Sequence, residues 1–435
     1  MSANHIFTEI AYALSHNRLC LFTGAGFTKA ITDGKAPSWR DLLQQVCQRN
    51  ELPLDILDEA NEYSAALNLE EKAQLIAGLL QDKKKSIHVE ISEIIQDIQL
   101  AITDIENIKT FFKNESFHLL TTNYDKLAEQ LAGENYQSFS PKKPIPRSSA
   151  KTKIYHIHGA IDAPDGMVVT AEDYFQFINY ESYFSRKLSV CLHENLVVIL
   201  GYSLSDTNLK AIINEYKGFS TDQHIASNIF FVSRDNVSQY TKDYYSNCFG
   251  IRVIDNMEID DFFKAVNEKS KLVKQKKDKK IENIKNVLYN GREYTDSYLK
   301  KDIALFEILA SIQALGIDLK DEDVLNLINC ILKKKIEFTR QNSAWEQYYH
   351  LALWLAYLAS IIKLYHSPLK AIFLEGVQLS LSMLGGRREW ATPWEATLEW
   401  QKSWGNIIPE NRLLIKEYVE ENIYNDYARK LVGLL

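Results

Sequence analysis

Apolar and polar positions along this chain follow two rhythms in turn. The short apolar run Leu19–Thr23 leads straight into Gly24-Ala25-Gly26, which predicts a buried strand and a tight turn. A polar stretch with Asp33-Gly34 and Pro37 follows, and then helical spacing from Trp39 to about Phe112. There Leu42, Leu43 and Val46, and later Leu75, Ile76, Leu79 and Leu80, recur every three or four residues. Roughly seventy helical residues are more than one crossover between parallel strands requires. They predict a helical insertion over about 39–113.

The rhythm then changes to short apolar runs at Phe117–Thr122, Lys153–His158, Leu196–Tyr202, Asn228–Ser233 and Ile251–Ile254. Helical segments separate them at Asp125–Ala132, Ala171–His193, Asp206–Tyr216 and Val237–Asn247. Strands alternating with helices predict an α/β fold, a doubly wound, Rossmann-like parallel sheet. Continuous apolar runs such as Leu196–Leu200 fit strands buried on both faces. Around Glu268–Lys285 the chain turns lysine-rich, as a solvated helical connector does. From Asn286 to Leu435 strand patterns vanish, and Ala344–Leu364 and Leu369–Leu384 read as helices. Every tryptophan but Trp39 falls there. The expected organisation is a nucleotide-binding domain over 1–285 and an all-helical C-terminal domain over 286–435, serving assembly or regulation.

Composition narrows the function classes. With 46% hydrophobic and 25% charged residues the chain is of ordinary globular type. A net charge of −7 argues against direct nucleic-acid binding, which needs a basic surface. The most hydrophobic stretch, Leu351–Ile362, is too short to span a bilayer, and Met1–His16 lacks the pattern of a signal peptide. The five cysteines are scattered, with no zinc spacing, so a cytoplasmic protein without a metal site is expected.

Four motifs carry candidate chemistry, each at the carboxyl end of an expected strand, where doubly wound sheets bind ligands. The first is Thr23-Gly24-Ala25-Gly26-Phe27, whose backbone amides suit a pyrophosphate. The usual third small residue is Lys29, so a plain tight turn fits equally well. The second is Thr122-Asn123-Tyr124-Asp125: an Asn there can hold a ribose hydroxyl or a water, and Asn or Asp can equally be a helix cap. In the third, Ile154 to Ala160, His156 and His158 fall on one face of the strand. His158 at the strand end can act as a general base, although a strand-end His is often structural. The fourth, Gly201-Tyr202-Ser203, precedes a helix capped by Ser205 or Asp206.

In this order the motifs resemble those of the sirtuin family. Gly24-Ala25-Gly26 matches the family's first glycine motif, and Pro37-Ser38-Trp39-Arg40 resembles the end of its G-x-P-D-F-R segment. Thr121 to Asp125 is similar to its T-Q-N-x-D, His158-Gly159 to its catalytic H-G, and Gly201-Tyr202-Ser203 to its later turn. The resemblance covers about residues 8–265. Three family residues are replaced, by Ser38, Trp39 and Thr122, and Ile161–Ser189 lacks the four cysteines of the deacylases' zinc module. In its place stands Val168 to Tyr174, similar to the T-x-x-D-Y of the prokaryotic sirtuin-like NAD hydrolases.

That resemblance implies an NAD+ glycohydrolase that cleaves the nicotinamide–ribose bond, an antiphage effector depleting NAD+ and needing no zinc. By carry-over Asn123 and His158 are the catalytic pair. Thr23, Gly24, Ala25, Gly26, Phe27, Trp39, Arg40, Thr122, Asp125, Gly201, Tyr202, Ser203 and Asp206 would bind the dinucleotide, Arg40 by pairing with phosphate or by ordering its loop. An imidazole near its ordinary pKa of about 6.5 would suit the base. The rival readings are a non-catalytic NAD or ADP-ribose sensor or scaffold, and an NAD-dependent protein deacylase. The architecture resembles the sirtuin-like subunit that pairs with HerA-type ATPases, which implies a homo-oligomer and an ATPase or other regulatory partner through 286–435.

Overall fold

The computed structural model describes residues 4–58, 60, 65–102, 104–179, 183–203, 228–341, 344–387 and 392–435. Seven strands form one sheet: β1 Leu19–Thr23, β2 Phe117–Thr121, β3 Tyr136–Phe139, β4 Thr152–His156, β5 Leu196–Leu200, β6 Ile229–Val232 and β7 Arg252–Ile254. Their order is β3-β4-β2-β1-β5-β6-β7 and every pairing is parallel. The doubly wound sheet expected from the sequence is therefore present, with helices on both faces. One face packs Leu21, Leu119, Ile154, Val198 and Phe230 against the helix Asn4–Ser15 and its neighbours. The other packs Phe22, Leu120, Tyr155, Ile199 and Phe231 against the helix Tyr183–Glu194.

Chain order reverses at β1, which has β2 on one side and β5 on the other. The crevice over the carboxyl ends of the strands at such a reversal is the usual ligand position of these sheets. A connection crosses this crevice between β1 and β2. It holds the helices Trp39–Arg49, Leu69–Asp82, Ile87–Ile95 and Glu106–Asn114, in place of the single expected block. Two starts are fixed by reciprocal caps. Ser38 accepts from the Asp41 amide while Asp41 accepts from Ser38, and Asn68 pairs likewise with Glu71. Their apolar faces form a separate core with Leu43, Val46, Ile76, Leu80 and Ile91, which reaches Tyr124, Met167 and Val169 of the sheet's loops.

Three expectations need correction. Strand β3 was not foreseen, because Tyr136-Gln137-Ser138-Phe139 is a half-exposed edge strand with no apolar run. The expected helix Ala171–His193 is two helices, Ala171–Asn179 and Tyr183–Glu194. Strand β4 ends at His156, two residues short of His158. The expected helix Asp206–Tyr216 lies outside the described residues.

From Ile284 to Val432 the described residues are helical and share one core, in which Trp354 and Trp400 are fully buried. Trp354 donates its indole N–H to the Asp302 carbonyl at 2.6 Å, and Trp400 donates to Ser380 Oγ at 2.9 Å. These rings are core; Trp345 at the margin is 44% exposed, and Trp390 lies outside the described residues. The helix Asn4–Ser15 joins the two parts: Phe7 and Ile10 pack on the sheet's core, and His5 stacks on Phe306 at 3.5 Å. No helix among the described residues is long and apolar enough to cross a membrane.

Candidate active site

A cavity of about 610 Å³ opens over the carboxyl ends of β1, β2, β4 and β5. That volume falls in the range of sites for small molecules and cofactors. Its sheet side is polar, with Thr28, Thr122, Asn123, Asp125, His158, Tyr202 and Ser203. The facing wall comes from the helical crossing and its approach, with Pro37, Trp39, Leu42, Leu69, Ile95 and Ile98. Asn68 and Glu70 add polar atoms to that wall at the start of the helix Leu69–Asp82.

At the switch point the turn after β1 and the turn after β5 meet backbone to backbone, with the Tyr202 ring packed on Gly24. Gly26 N–H donates to the Gly201 carbonyl at 2.8 Å, and Gly24 N–H to the Leu200 carbonyl at 3.1 Å. Gly201 sits at φ +73°, and a β-carbon on it would collide with the Phe27 amide nitrogen. Phe27 N–H closes the turn onto the Gly24 carbonyl at 2.9 Å. The amides of Gly24, Gly26 and Phe27 are thus already engaged, which corrects the reading of this turn as a row of open pyrophosphate donors. Of the four amides, that of Ala25, a cavity-lining residue, has no main-chain acceptor among the described residues.

Asn123 is held from behind. Its side-chain Nδ2 donates to the Gly24 carbonyl at 2.9 Å and to Thr28 Oγ1 at 2.8 Å. Because a carbonyl can only accept, these bonds settle which way the amide points. Thr28 Oγ1 donates a hydrogen bond in turn to Asp125 Oδ2 at 2.7 Å, and Asp125 Oδ1 accepts from the Leu127 amide at 3.0 Å. Burial pushes the Asp125 carboxyl above its ordinary value, against the Thr28 and Leu127 bonds that lower it. Both Nδ2 donors being engaged, Asn123 offers its Oδ1, an acceptor, to whatever enters the cavity.

The two histidines of the third motif part company. His156 is fully buried, one ring nitrogen meeting the Asn123 carbonyl at 3.0 Å and the other Glu129 Oε1 at 2.8 Å. Burial would raise the Glu129 carboxyl, but His156, Lys126 and Ser138 hold it down to about 2. His158 lines the cavity, and among the described residues its ring has no hydrogen-bond partner. It is walled edge-on by Tyr174 at 5.3 Å and Phe177 at 5.0 Å. Burial lowers its pKa to about 4, which corrects the expectation of an unperturbed imidazole. The ring is neutral at pH 7 and free to take a proton.

The residue after it is fixed as glycine by contact: at φ +85°, a β-carbon on Gly159 would collide with the Gly166 carbonyl. The segment that makes this approach is tied down by Val168, whose N–H donates to the His158 carbonyl at 2.8 Å and whose carbonyl accepts from Tyr124 Oη at 2.5 Å.

Of the residues expected in the site, the cavity brings together Ala25, Trp39, Thr122, Asn123, Asp125, His158, Gly201, Tyr202 and Ser203. Thr122 Oγ1 and Tyr202 Oη are hydrogen-bonded at 2.6 Å across β1. Thr23, Gly24, Gly26 and Phe27 lie behind the lining; Thr23 is buried with its carbonyl on Thr122 and Thr121, and Phe27 points into the core. Arg40 is not part of the lining, and its guanidinium donates to the Leu57 carbonyl at 2.6 Å, a contact of the kind that orders a loop. Asp206 lies outside the described residues. Thr28, Tyr124 and Tyr174 were not foreseen as lining. Thr28 had a signal, since it stands two residues past Gly26 on the same turn. Among the described residues no group of three His, Cys, Asp or Glu is placed to hold a metal ion.

Residues 118–254 match the SIR2-like domain family. The chain is 24% identical over 241 residues to the NAD(+) hydrolase ThsA of Acinetobacter baumannii, covering 54% of this chain and 46% of that protein. It is 26% identical over 211 residues to the NAD(+) hydrolase ThsA of Bacillus cereus, covering 47% and 41%. It is also 23% identical over 146 residues to Defense-associated sirtuin 2 of Bacillus subtilis, covering 32% and 14%. Each match spans less than half the length of the relative concerned.

Proposed function

This chain carries a sirtuin-like domain, and from that premise we propose that it is an NAD+ glycohydrolase releasing nicotinamide and ADP-ribose. One observation carries the reading: Asn123 and His158 line the same cavity at the switch point of the sheet. The names of the ThsA relatives, NAD(+) hydrolases, support NAD+ as the substrate and hydrolysis as the reaction.

Loss of nicotinamide leaves an oxocarbenium-like ribose that must be held and met by water. Asn123 Oδ1, fixed by the bonds of its own Nδ2, accepts a hydrogen bond from a ribose hydroxyl or from the attacking water. Neutral His158 takes the proton that this water or hydroxyl gives up. The Ala25 amide, the one not engaged in the turn, donates toward the pyrophosphate. The apolar wall of Trp39, Leu42, Ile95 and Ile98 keeps bulk water from the reacting carbon.

The test is NAD+ hydrolysis by the purified protein, with nicotinamide and ADP-ribose identified by mass. Wild-type turnover that falls at least a hundredfold in Asn123→Ala and in His158→Ala, both folded, supports the reading. Wild-type rates in either variant would end it. Tight NAD+ binding with no nicotinamide released favours the sensor, and an acyl-ADP-ribose product favours the deacylase. A defence role, supported by the name of the Bacillus subtilis relative, self-assembly, a cytoplasmic location and an ATPase partner through 286–435 belong to the same proposal. Assays with and without the products of adjacent genes test the partner.

A further inference from the structure

The carboxylate of Asp173 collects hydrogen bonds that a helix cap alone does not need. Its Oδ2 accepts from the Thr170 amide at 2.9 Å, the Thr170 hydroxyl at 2.9 Å and the Val169 amide at 3.1 Å. Asp173 N–H faces Thr170 Oγ1 at 3.3 Å, closing a capping box at the start of the helix Ala171–Asn179. The same Oδ2 also accepts from His88 Nε2 at 2.9 Å. His88 belongs to the helix Ile87–Ile95 of the crossing, 85 residues earlier in the chain. On the helix that Asp173 caps, Tyr174 and Phe177, one turn apart, stand edge-on to His158.

We infer that Asp173 is a positioning residue for His158: it sets the rings of Tyr174 and Phe177 against the imidazole, and through His88 it locks the helical crossing to that wall. The inference rests on the proposed hydrolase reading only for its kinetic consequence. A capping box serves its own helix and uses nothing outside it. The fourth donor comes from the element that supplies Ile95 to the opposite wall of the cavity, so this oxygen ties one wall to the other, beside the bond from the Glu172 amide to Gln74 Oε1. Burial would raise the Asp173 carboxyl, but His88 and the Thr170 and Val169 groups hold it down to about 2. The acceptor therefore keeps its charge wherever the protein works. Tyr174 and Phe177, so held, keep water from the imidazole, whose pKa is lowered to about 4 by burial. When the lock is cut the wall loosens, water reaches the ring, and the imidazole returns toward its ordinary value.

The experiment follows the titration of His158 by NMR in the whole protein, the signal being assigned with His158→Ala, beside the pH profile of NAD+ hydrolysis. The variants are Asp173→Asn, His88→Ala, and His88→Gln, whose amide can still donate. The other titratable groups of the cavity, Glu70 from the crossing, Tyr124 and Asp125 after β2 and Tyr202 after β5, are present in all of them. Expected are a wild-type midpoint near 4, an upward shift of about one unit or more in Asp173→Asn and His88→Ala, and recovery in His88→Gln. The acid limb of kcat should move with the midpoint, while KM for NAD+ changes less than kcat. An unmoved His158 midpoint in folded His88→Ala overturns the inference, as does a loss of turnover in that variant without any shift. Should Asp173→Asn not fold, His88→Ala decides, since His88 takes no part in the cap of the helix Ala171–Asn179. Should wild type release no nicotinamide, the hydrolase reading fails, and the NMR midpoints still decide the positioning role.

Discussion

Two regions two residues apart on the same strand end show how one residue type serves opposite ends. Around His156 both ring nitrogens are answered: the ring bridges the Asn123 carbonyl and Glu129 Oε1, and that same oxygen also takes Lys126 and Ser138, while Glu129 Oε2 has no partner among the described residues. Around His158 the neighbours are ring edges and an open cavity. An imidazole engaged at both nitrogens is fixed in place, whereas one with unused valence is available for chemistry. The difference teaches that the strand's alternation, which put both rings on one face, does not tell them apart. Their surroundings do.

The contrast is sharpest in turnover. His158→Ala should remove on the order of 10²–10⁴-fold in rate at little cost in stability, read by nicotinamide release and thermal melting. His156→Ala should do the reverse, with about 3 kcal/mol lost because Glu129 is left buried and under-partnered, read by urea unfolding. A variant at 156 that melts like wild type but is inactive would break the comparison.

Acidification separates the regions next. His158 stays neutral in the fold down to about 4, while the unfolded chain takes up its proton near 6.5. Its share of stability is therefore complete above 6.5 and falls away between 6.5 and 4. Glu129, held at about 2 against 4.5 unfolded, contributes stability above 4.5 that is lost as pH falls toward 2. Urea midpoints for wild type should drop already between pH 7 and 5, and His158→Phe should lack that part of the slope. The smallest expected effect is at Arg40. Since its guanidinium serves the Leu57 carbonyl, Arg40→Ala should change KM for NAD+ less than about threefold, as suits a residue that orders a loop. A large rise in KM would return it to the phosphate.

Much of this was legible in the sequence. Strands β1, β2, β4, β5 and β6 are apolar runs broken by glycine or polar residues, and their order gave the parallel sheet. The polar residues just past those runs are the ones that meet in the cavity, because a buried strand ends where its side chains reach the open crevice. What escaped detection depends on contacts with no local trace. Edge strand β3 is paired on one side only and needs no apolar run. The engagement of the Gly24 and Gly26 amides depends on a turn 175 or more residues away. The low pKa of His158 depends on Tyr174 and Phe177, and the fate of Arg40 on the carbonyl of Leu57. Ser38, where the sirtuin motif has Asp, had an unread local meaning: it caps the helix Trp39–Arg49.

The crossing of Gly26 over Gly201 has a consequence for anyone reshuffling this gene. With backbone pressed on backbone, neither position tolerates a side chain, and the two turns have to be inherited as a matched set. A chimera that imports a foreign first loop without its counterpart after the fifth strand should misfit at the seam. Recombination libraries cut between these two points should accordingly be poor in working clones, and those cut after Ser203 richer.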